Sequence, residues 1–123
     1  MDNNQNYKTF VVAIASSDGY NIDVHFGRAE TFYIYRFFID EWIFIEKREL
    51  KPVCQNGKHS ISQMQESVKI FSDCKYIAAS KIGAGASSTI RALGIIPIEL
   101  PGDINEALEK IFSYEEIQNL FIN

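Results

Sequence analysis

Four side chains of this sequence are of the types that bind soft transition metals, namely His25, Cys54, His59 and Cys74. Imidazole and thiolate are the ligands that iron–sulfur clusters and related metal centres prefer. The spacing is not diagnostic, because the sequence contains neither a Cys-x-x-Cys nor a His-x-x-x-His pattern. Cys54 and His59 are separated by four residues in a predicted loop, an arrangement that permits chelation without requiring it.

His25 occupies the connection between two predicted strands, the apolar run 10–15 and the aromatic run 32–37. Phe26, Gly27 and Arg28 follow it and are further candidates for binding a cofactor, since the glycine lets the backbone approach a ligand closely. An imidazole in such a connection is either a metal ligand or a turn residue, and the residues alone leave both open.

Each of the other candidates also has a structural alternative. Cys74 lies between a predicted helix and a predicted strand, where free cysteine is commonly a buried apolar side chain. His59 precedes a predicted helix and can serve as its entry residue. Cys54 is the better candidate thiol, since it lies in a predicted exposed loop.

A glycine-containing segment over 83–88 is a second candidate site. Gly83 and Gly85 follow a predicted strand and precede a helix predicted to begin at Ser87, which resembles the dinucleotide fingerprint that brings phosphate to a helix N-terminus. Ser88 replaces the third glycine, and no Lys-Ser or Lys-Thr pair follows. A tight turn between strand and helix is the alternative; backbone N–H groups there could still hold an anionic group of a ligand.

We find no catalytic set in the sequence. The first predicted strand, 9–15, carries no carboxylate of the kind a two-metal nuclease needs. The remaining acids fall on predicted hairpin and helix surfaces, and no serine or cysteine has an evident base. We therefore predict that the chain is not an enzyme.

The composition is that of one globular domain, with 123 residues, 46% of them hydrophobic and 23% charged. The net charge is -4 and the basic residues are scattered, so we expect no nucleic-acid partner. The sequence shows neither signal-peptide order nor an apolar run of membrane-spanning length, which predicts a cytoplasmic protein without membrane contact. We expect a flexible tail over 1–8 and a single domain over 9–123.

The pattern of apolar residues predicts an α/β fold of the ribonuclease H-like type. Strands are predicted over 9–15, 31–38, 42–50, 76–79 and 95–100, with a short extended segment over 20–25 after the Asp18-Gly19 turn. Helices begin near residues 60, 87 and 104. Gly94 is predicted to end the second helix, and Asp103 to cap the third. Three antiparallel strands followed by alternating helices and strands make a mixed five-stranded sheet flanked by helices, because parallel strands need crossover connections. Charges in the third strand and Pro97 in the fifth place both at sheet edges.

The sequence resembles the nitrogenase iron-molybdenum cofactor biosynthesis family, which includes NifX, NafY and the C-terminal domain of NifB. The resemblance runs from residue 9 to about residue 111, and its most specific part is the His-Phe-Gly segment after the first strand. The residues that carry it are 11–19, 25–29, 32, 34–35, 52–54, 57, 59, 73–74, 81–83 and 93–97.

This resemblance implies a carrier for an iron–sulfur cluster or an iron-molybdenum cofactor precursor. The family's proposed cluster-binding histidine falls on His25, with Gly27 and Arg28 beside it, while Cys54 and His59 are secondary ligand candidates. Donor and acceptor proteins of cofactor assembly are the implied partners. The chain has no Cys-x3-Cys-x2-Cys run, so we expect none of the radical chemistry of full-length NifB.

Two other classes of function stay open at this point. One is a regulatory module that binds a small molecule or nucleotide at the 83–88 segment. The other is a protein-interaction domain, monomeric or weakly dimeric, that uses the aromatic hairpin. The aromatic residues of that hairpin are Phe32, Phe37, Phe38, Trp42 and Phe44.

Overall fold

The computed structural model describes residues 9–50 and 61–122. The strands are β1 (Thr9–Ala15), β2 (Asn21–Ile22), β3 (Thr31–Phe38), β4 (Glu41–Glu49), β5 (Tyr76–Ala79), β6 (Ile96–Glu99) and β7 (Gly102–Asp103). The helices are α1 (Ile61–Val68), α2 (Ala84–Ala92) and α3 (Ile104–Ile122), and 3-10 turns span Phe26–Arg28 and Lys69–Phe71.

A five-stranded mixed sheet organises the chain, with strand order β4-β3-β1-β5-β6. β3 pairs antiparallel with both β1 and β4, whereas β5 runs parallel to β1 and to β6. The predicted mixed α/β sheet and both predicted edge strands, β4 and β6, are confirmed. The ribonuclease H-like label stays a prediction.

Side chains of this sheet form two cores, one on each face. On the face that α1 and α2 cover, which we call the helix-pair face, Phe32, Ile34 and Ile77 pack with Met64 and Ile90. On the opposite face, which α3 covers and which we call the α3 face, Val12, Ile14 and Tyr76 pack with Leu108 and Ile111. The alternation of side chains along each strand produces this division, and burial on both sides explains the continuous apolar run of β1.

One helix differs from the prediction: α2 begins at Ala84 and not at Ser87. The small residues 84–86 adopt helical geometry, and Ala86 is buried against the core. Gly94, with φ +82°, ends the helix as predicted. The predicted cap of α3 is also confirmed, since the Glu106 N–H donates to Asp103 Oδ2 at 2.9 Å.

A second sheet pairs two short strands, β2 and β7; β2 lies within the predicted extended segment 20–25, whereas β7 and the pairing were not predicted. Each strand has two residues, too few for a periodic pattern. Asp18 fixes the preceding turn, because its Oδ1 accepts hydrogen bonds from the N–H groups of Tyr20 (2.8 Å) and Asn21 (2.9 Å). Those two N–H groups also hold the pKa of Asp18 below its usual value.

The aromatic hairpin does not form a single exposed patch. Phe32 and Phe37 are buried, on the helix-pair face and the α3 face respectively. Phe44 is 50% exposed but pairs with Tyr35 on the α3 face. Phe38 is 41% exposed and directly follows Phe37 in β3, so it lies on the opposite face of the strand. Most of these rings therefore serve the two cores.

The parallel strands place several connections at one edge of the sheet. β1, β5 and β6 all run in the same direction, so their carboxyl ends, at Ala15, Ala79 and Glu99, lie along the same side of the sheet, the side where these strands end. The segments that follow them, 16–30, 80–83 and 100–103, are neighbours there. Such an edge is where α/β proteins commonly bind ligands.

A buried carboxylate joins α3 to the start of β5. Glu115 is 3% exposed and accepts hydrogen bonds from the Tyr76 hydroxyl (2.6 Å) and Lys75 Nζ (2.7 Å). Burial, together with the Glu115 carboxylate, raises the pKa of Tyr76 well above its ordinary value. The phenol therefore stays protonated and donates.

We predict that Glu115→Ala lowers the free energy of unfolding by roughly 1–3 kcal/mol, because it leaves the buried Tyr76 hydroxyl without its acceptor. Urea unfolding followed by circular dichroism measures this. The matched control is Glu109→Ala, on the exposed side of the same helix, which should change stability by less than about 0.5 kcal/mol. Equal losses in the two variants would contradict the role given to Glu115.

Candidate functional site

The backbone of His25 lies beside that of Lys81, which is two residues past the end of β5. His25 and Lys81 form an isolated parallel bridge. The Phe26 N–H donates to the Lys81 carbonyl at 2.8 Å, and the Ser80 N–H donates to the Val24 carbonyl at 3.0 Å. The connection that carries His25 is thus attached to the central strands of the fold.

The residues after His25 anchor it to the core. The 3-10 turn Phe26–Arg28 is closed by the Arg28 N–H, which donates to the His25 carbonyl at 3.1 Å. Phe26 is 1% exposed, and its ring contacts Phe32 with centroids 5.8 Å apart. The Phe26 side chain, predicted to bind cofactor, therefore supports the site from the core and is not available to contact a ligand.

The imidazole of His25 points away from that core. His25 has extended backbone angles, φ -71° and ψ 147°, so its side chain and that of Phe26 point to opposite sides. His25 is exposed, and its imidazole has no hydrogen-bond or ion-pair partner among residues 9–50 and 61–122. A free imidazole on an anchored backbone is an arrangement suited to binding a metal centre.

Two cationic side chains are neighbours of His25: Lys81 across the bridge, and Arg28 three residues along the chain. Lys81 is directly paired with His25, so both side chains point to the same side, and both are exposed. Arg28 is exposed at the end of the 3-10 turn. The sequence reasoning did not select Lys81, because only the long-range pairing reveals its place.

The glycines of the second candidate site form the start of α2. Gly83 is the N-cap residue and Gly85 lies in the first turn, with open space at both positions. Glu99 lies at the same end, where its Oε2 accepts a hydrogen bond from the Ile82 N–H at 2.8 Å. This carboxylate places negative charge beside the glycines, which disfavours a phosphate there.

Cys74 lies far from His25. Cys74 precedes β5, whereas His25 pairs with Lys81, which follows the other end of that strand. The seven residues from Cys74 to Lys81 span about 20 Å when extended. Cys74 is 5% exposed, and burial raises the pKa of its thiol to about 12, with a smaller contribution from the Asp73 carboxylate. The structural alternative for Cys74, a buried apolar side chain, is confirmed.

The chain matches the family model described as "Dinitrogenase iron-molybdenum cofactor" over residues 8–114. The chain belongs to this family. The resemblance inferred from the sequence is thereby confirmed, and it places the chain among proteins of nitrogenase iron-molybdenum cofactor biosynthesis.

Relatives within the family differ in length from this chain. It is 28% identical over 109 residues to a protein NifX of Rhodobacter capsulatus, covering 85% of this chain and 69% of that one. It is 27% identical over 104 residues to the FeMo cofactor biosynthesis protein NifB of Frankia alni, covering 82% of this chain. The match spans only 20% of that NifB protein.

Solved structures share the fold. A putative NifB protein from Thermotoga superposes with a TM-score of 0.57 at 25% identity, over 85% of this chain and 88% of that one. The crystal structure of PH0822 superposes with a TM-score of 0.63 at 21% identity, over 84% of this chain and 90% of that one.

The remaining two predicted ligands of this family member, Cys54 and His59, lie outside the described residues. The described chain reaches that segment at Leu50, whose N–H donates to the Glu30 carbonyl at 2.7 Å. Glu30 closely follows the 3-10 turn next to His25.

Within the described ranges, no three His, Cys, Asp or Glu side chains gather as a metal site. In those same ranges no helix has the length and apolar character needed to cross a membrane.

We predict that Cys74 does not react with a thiol reagent at about pH 8 while the protein is folded. Burial excludes the reagent, and the raised pKa keeps the thiolate fraction low. The measurement uses Cys54→Ser, in which Cys74 is the sole cysteine, with and without denaturant. Labelling should require denaturant; rapid labelling of the native variant would contradict the burial of Cys74.

Proposed function

We propose that this chain is a non-enzymatic carrier that binds an iron–sulfur cluster or an iron-molybdenum cofactor precursor and passes it on. The observation that carries the proposal is the exposed imidazole of His25, unpartnered among the described residues, on a backbone bonded to Lys81. Membership of the dinitrogenase iron-molybdenum cofactor family supports the choice of cargo.

The chemistry of the site suits temporary binding. An imidazole nitrogen can replace one terminal thiolate on an iron atom of a cluster; the Fe–S bond to that thiolate breaks, and the thiolate leaves to solvent, where it can take up a proton. The other iron positions keep the ligands that come with the cargo. Gly27 keeps the turn beside the imidazole free of a bulky side chain. Cys54 and His59 stay proposed additional ligands, and a thiolate from Cys54 would make the hold tighter.

Proteins that deliver the cluster and proteins that receive it are the proposed partners, in the cytoplasm. The family match and the FeMo cofactor biosynthesis proteins NifB among the relatives support a role in cofactor assembly. Because this chain spans a small part of the NifB relatives, the activity of those whole proteins is not part of the proposal.

The decisive experiment is an anaerobic titration of the apo protein with a cubane iron–sulfur cluster, read by absorbance and, after one-electron reduction with dithionite, by EPR. We expect stoichiometric uptake by the wild type, and an affinity at least about tenfold lower for His25→Ala, which loses the proposed ligand. Asn105→Ala, on the exposed side of α3, is the matched control and should bind like the wild type.

Cys54→Ala in the same titration separates the two proposed ligands. Weaker uptake in that variant would support joint ligation, and unchanged uptake would leave His25 as the ligand. The carrier proposal would be contradicted by a wild type that takes up no cluster, or by uptake that His25→Ala leaves unchanged.

A further inference from the structure

We infer that Lys81 is a second residue that contacts the cargo, and that it selects for an anionic cluster by charge. This inference rests on the proposed function and extends that function by naming the charge of the cargo and the residue that recognises this charge. Lys81 does not act as a metal ligand, because its ammonium group has no lone pair to offer.

The backbone pairing brings Lys81 close to His25. Residues paired across a bridge have their side chains on the same side, and the two backbones lie about 5 Å apart. The bridge between His25 and Lys81 gives this relation, and the 2.8 Å hydrogen bond from the Phe26 N–H to the Lys81 carbonyl fixes it. The long, flexible lysine side chain can therefore reach a group bound to the imidazole.

The ammonium group of Lys81 is not used elsewhere in the described structure. Lys69 and Lys75 form ion pairs with Glu66 and Glu115, each at less than 3 Å, whereas Lys81 has no such partner among residues 9–50 and 61–122. An exposed lysine without a pairing acid remains available to a ligand.

Acids close to the pair in sequence or space already have other partners. Asp23 accepts hydrogen bonds from both the N–H and the hydroxyl of Ser17. Glu99 accepts the Ile82 N–H at 2.8 Å, on the side of the 80–82 segment that faces β6. These neutral donors leave both carboxylates charged, but neither acid forms an ion pair with Lys81 in the described residues, so its ammonium group stays free to contact a ligand.

The positive charge of Lys81 can attract an anionic cluster to His25. Iron–sulfur clusters with sulfide and thiolate ligands carry net negative charge, and an ammonium group is a compact point charge that attracts them. Attraction between exposed charges weakens with salt, because the screening length falls to about 3 Å at 1 M. Cargo binding should therefore depend on both Lys81 and ionic strength.

The test is the anaerobic titration of the apo protein with a thiolate-ligated cubane cluster at low and high salt. The variants are Lys81→Ala, Lys81→Arg and Lys81→Glu, with His25→Ala run in parallel. Lys110→Ala is the control, since it removes the same charge from an exposed position on α3. Circular dichroism and melting temperature verify that each variant is folded.

We expect Lys81→Ala to raise Kd roughly threefold to tenfold at low salt, as loss of one exposed charge interaction predicts. Lys81→Arg should bind like the wild type and Lys81→Glu more weakly than Lys81→Ala. These differences should shrink in about 1 M salt. The EPR spectrum of the bound cluster should not change in Lys81→Ala, because the ligand is intact.

The possible results distinguish this inference from the proposed function. If the wild type binds in a manner that needs His25, but Lys81→Ala and Lys110→Ala bind equally, the role of Lys81 is overturned and the carrier function stands. If the wild type takes up no cluster, both are overturned. A changed EPR spectrum in Lys81→Ala would overturn the purely electrostatic role.

Discussion

The candidate site depends on the backbone pairing between residues 24–26 and residues 80–82. Two hydrogen bonds, from the Phe26 N–H to Lys81 and from the Ser80 N–H to Val24, attach a connection to the extension of a central strand. The ring of Phe26 then fixes the connection in the core. His25 lies between these two anchored neighbours, so its backbone is held in place while its imidazole faces solvent. Such preorganisation reduces the entropy lost on binding.

The fold supplies the place for this pairing. β1 and β5 are neighbouring parallel strands, so the segments that follow them leave the sheet at the same edge and can meet. Both strands are buried on two faces by α1 and α2 on one side and by α3 on the other. A ligand site on such a scaffold gains its rigidity from the core and its chemistry from the connections.

Periodicity and turn chemistry were enough to predict the strands, their mixed arrangement, both sheet edges and the caps at Gly94 and Asp103. Those features depend on local residue patterns. The extended segment predicted over 20–25 contains β2, but the sequence did not reveal β7 or the pairing of these two strands, because two residues are too few to have a pattern. It also placed the start of α2 three residues late, because Gly83 and Gly85 normally indicate a turn.

The site was predictable only in part. His25 was identified by its residue type and its position between two strands, whereas Lys81 depends on a contact between distant parts of the chain. Burial likewise assigned Phe26 to the core. The measurement that tests the central claim most directly is pulsed EPR of the cluster-loaded protein with nitrogen-15-labelled histidine. In His59→Ala, where His25 is the one histidine left, and with the cluster reduced to a paramagnetic state, the account predicts a coupling to an imidazole nitrogen; the absence of that coupling would contradict it.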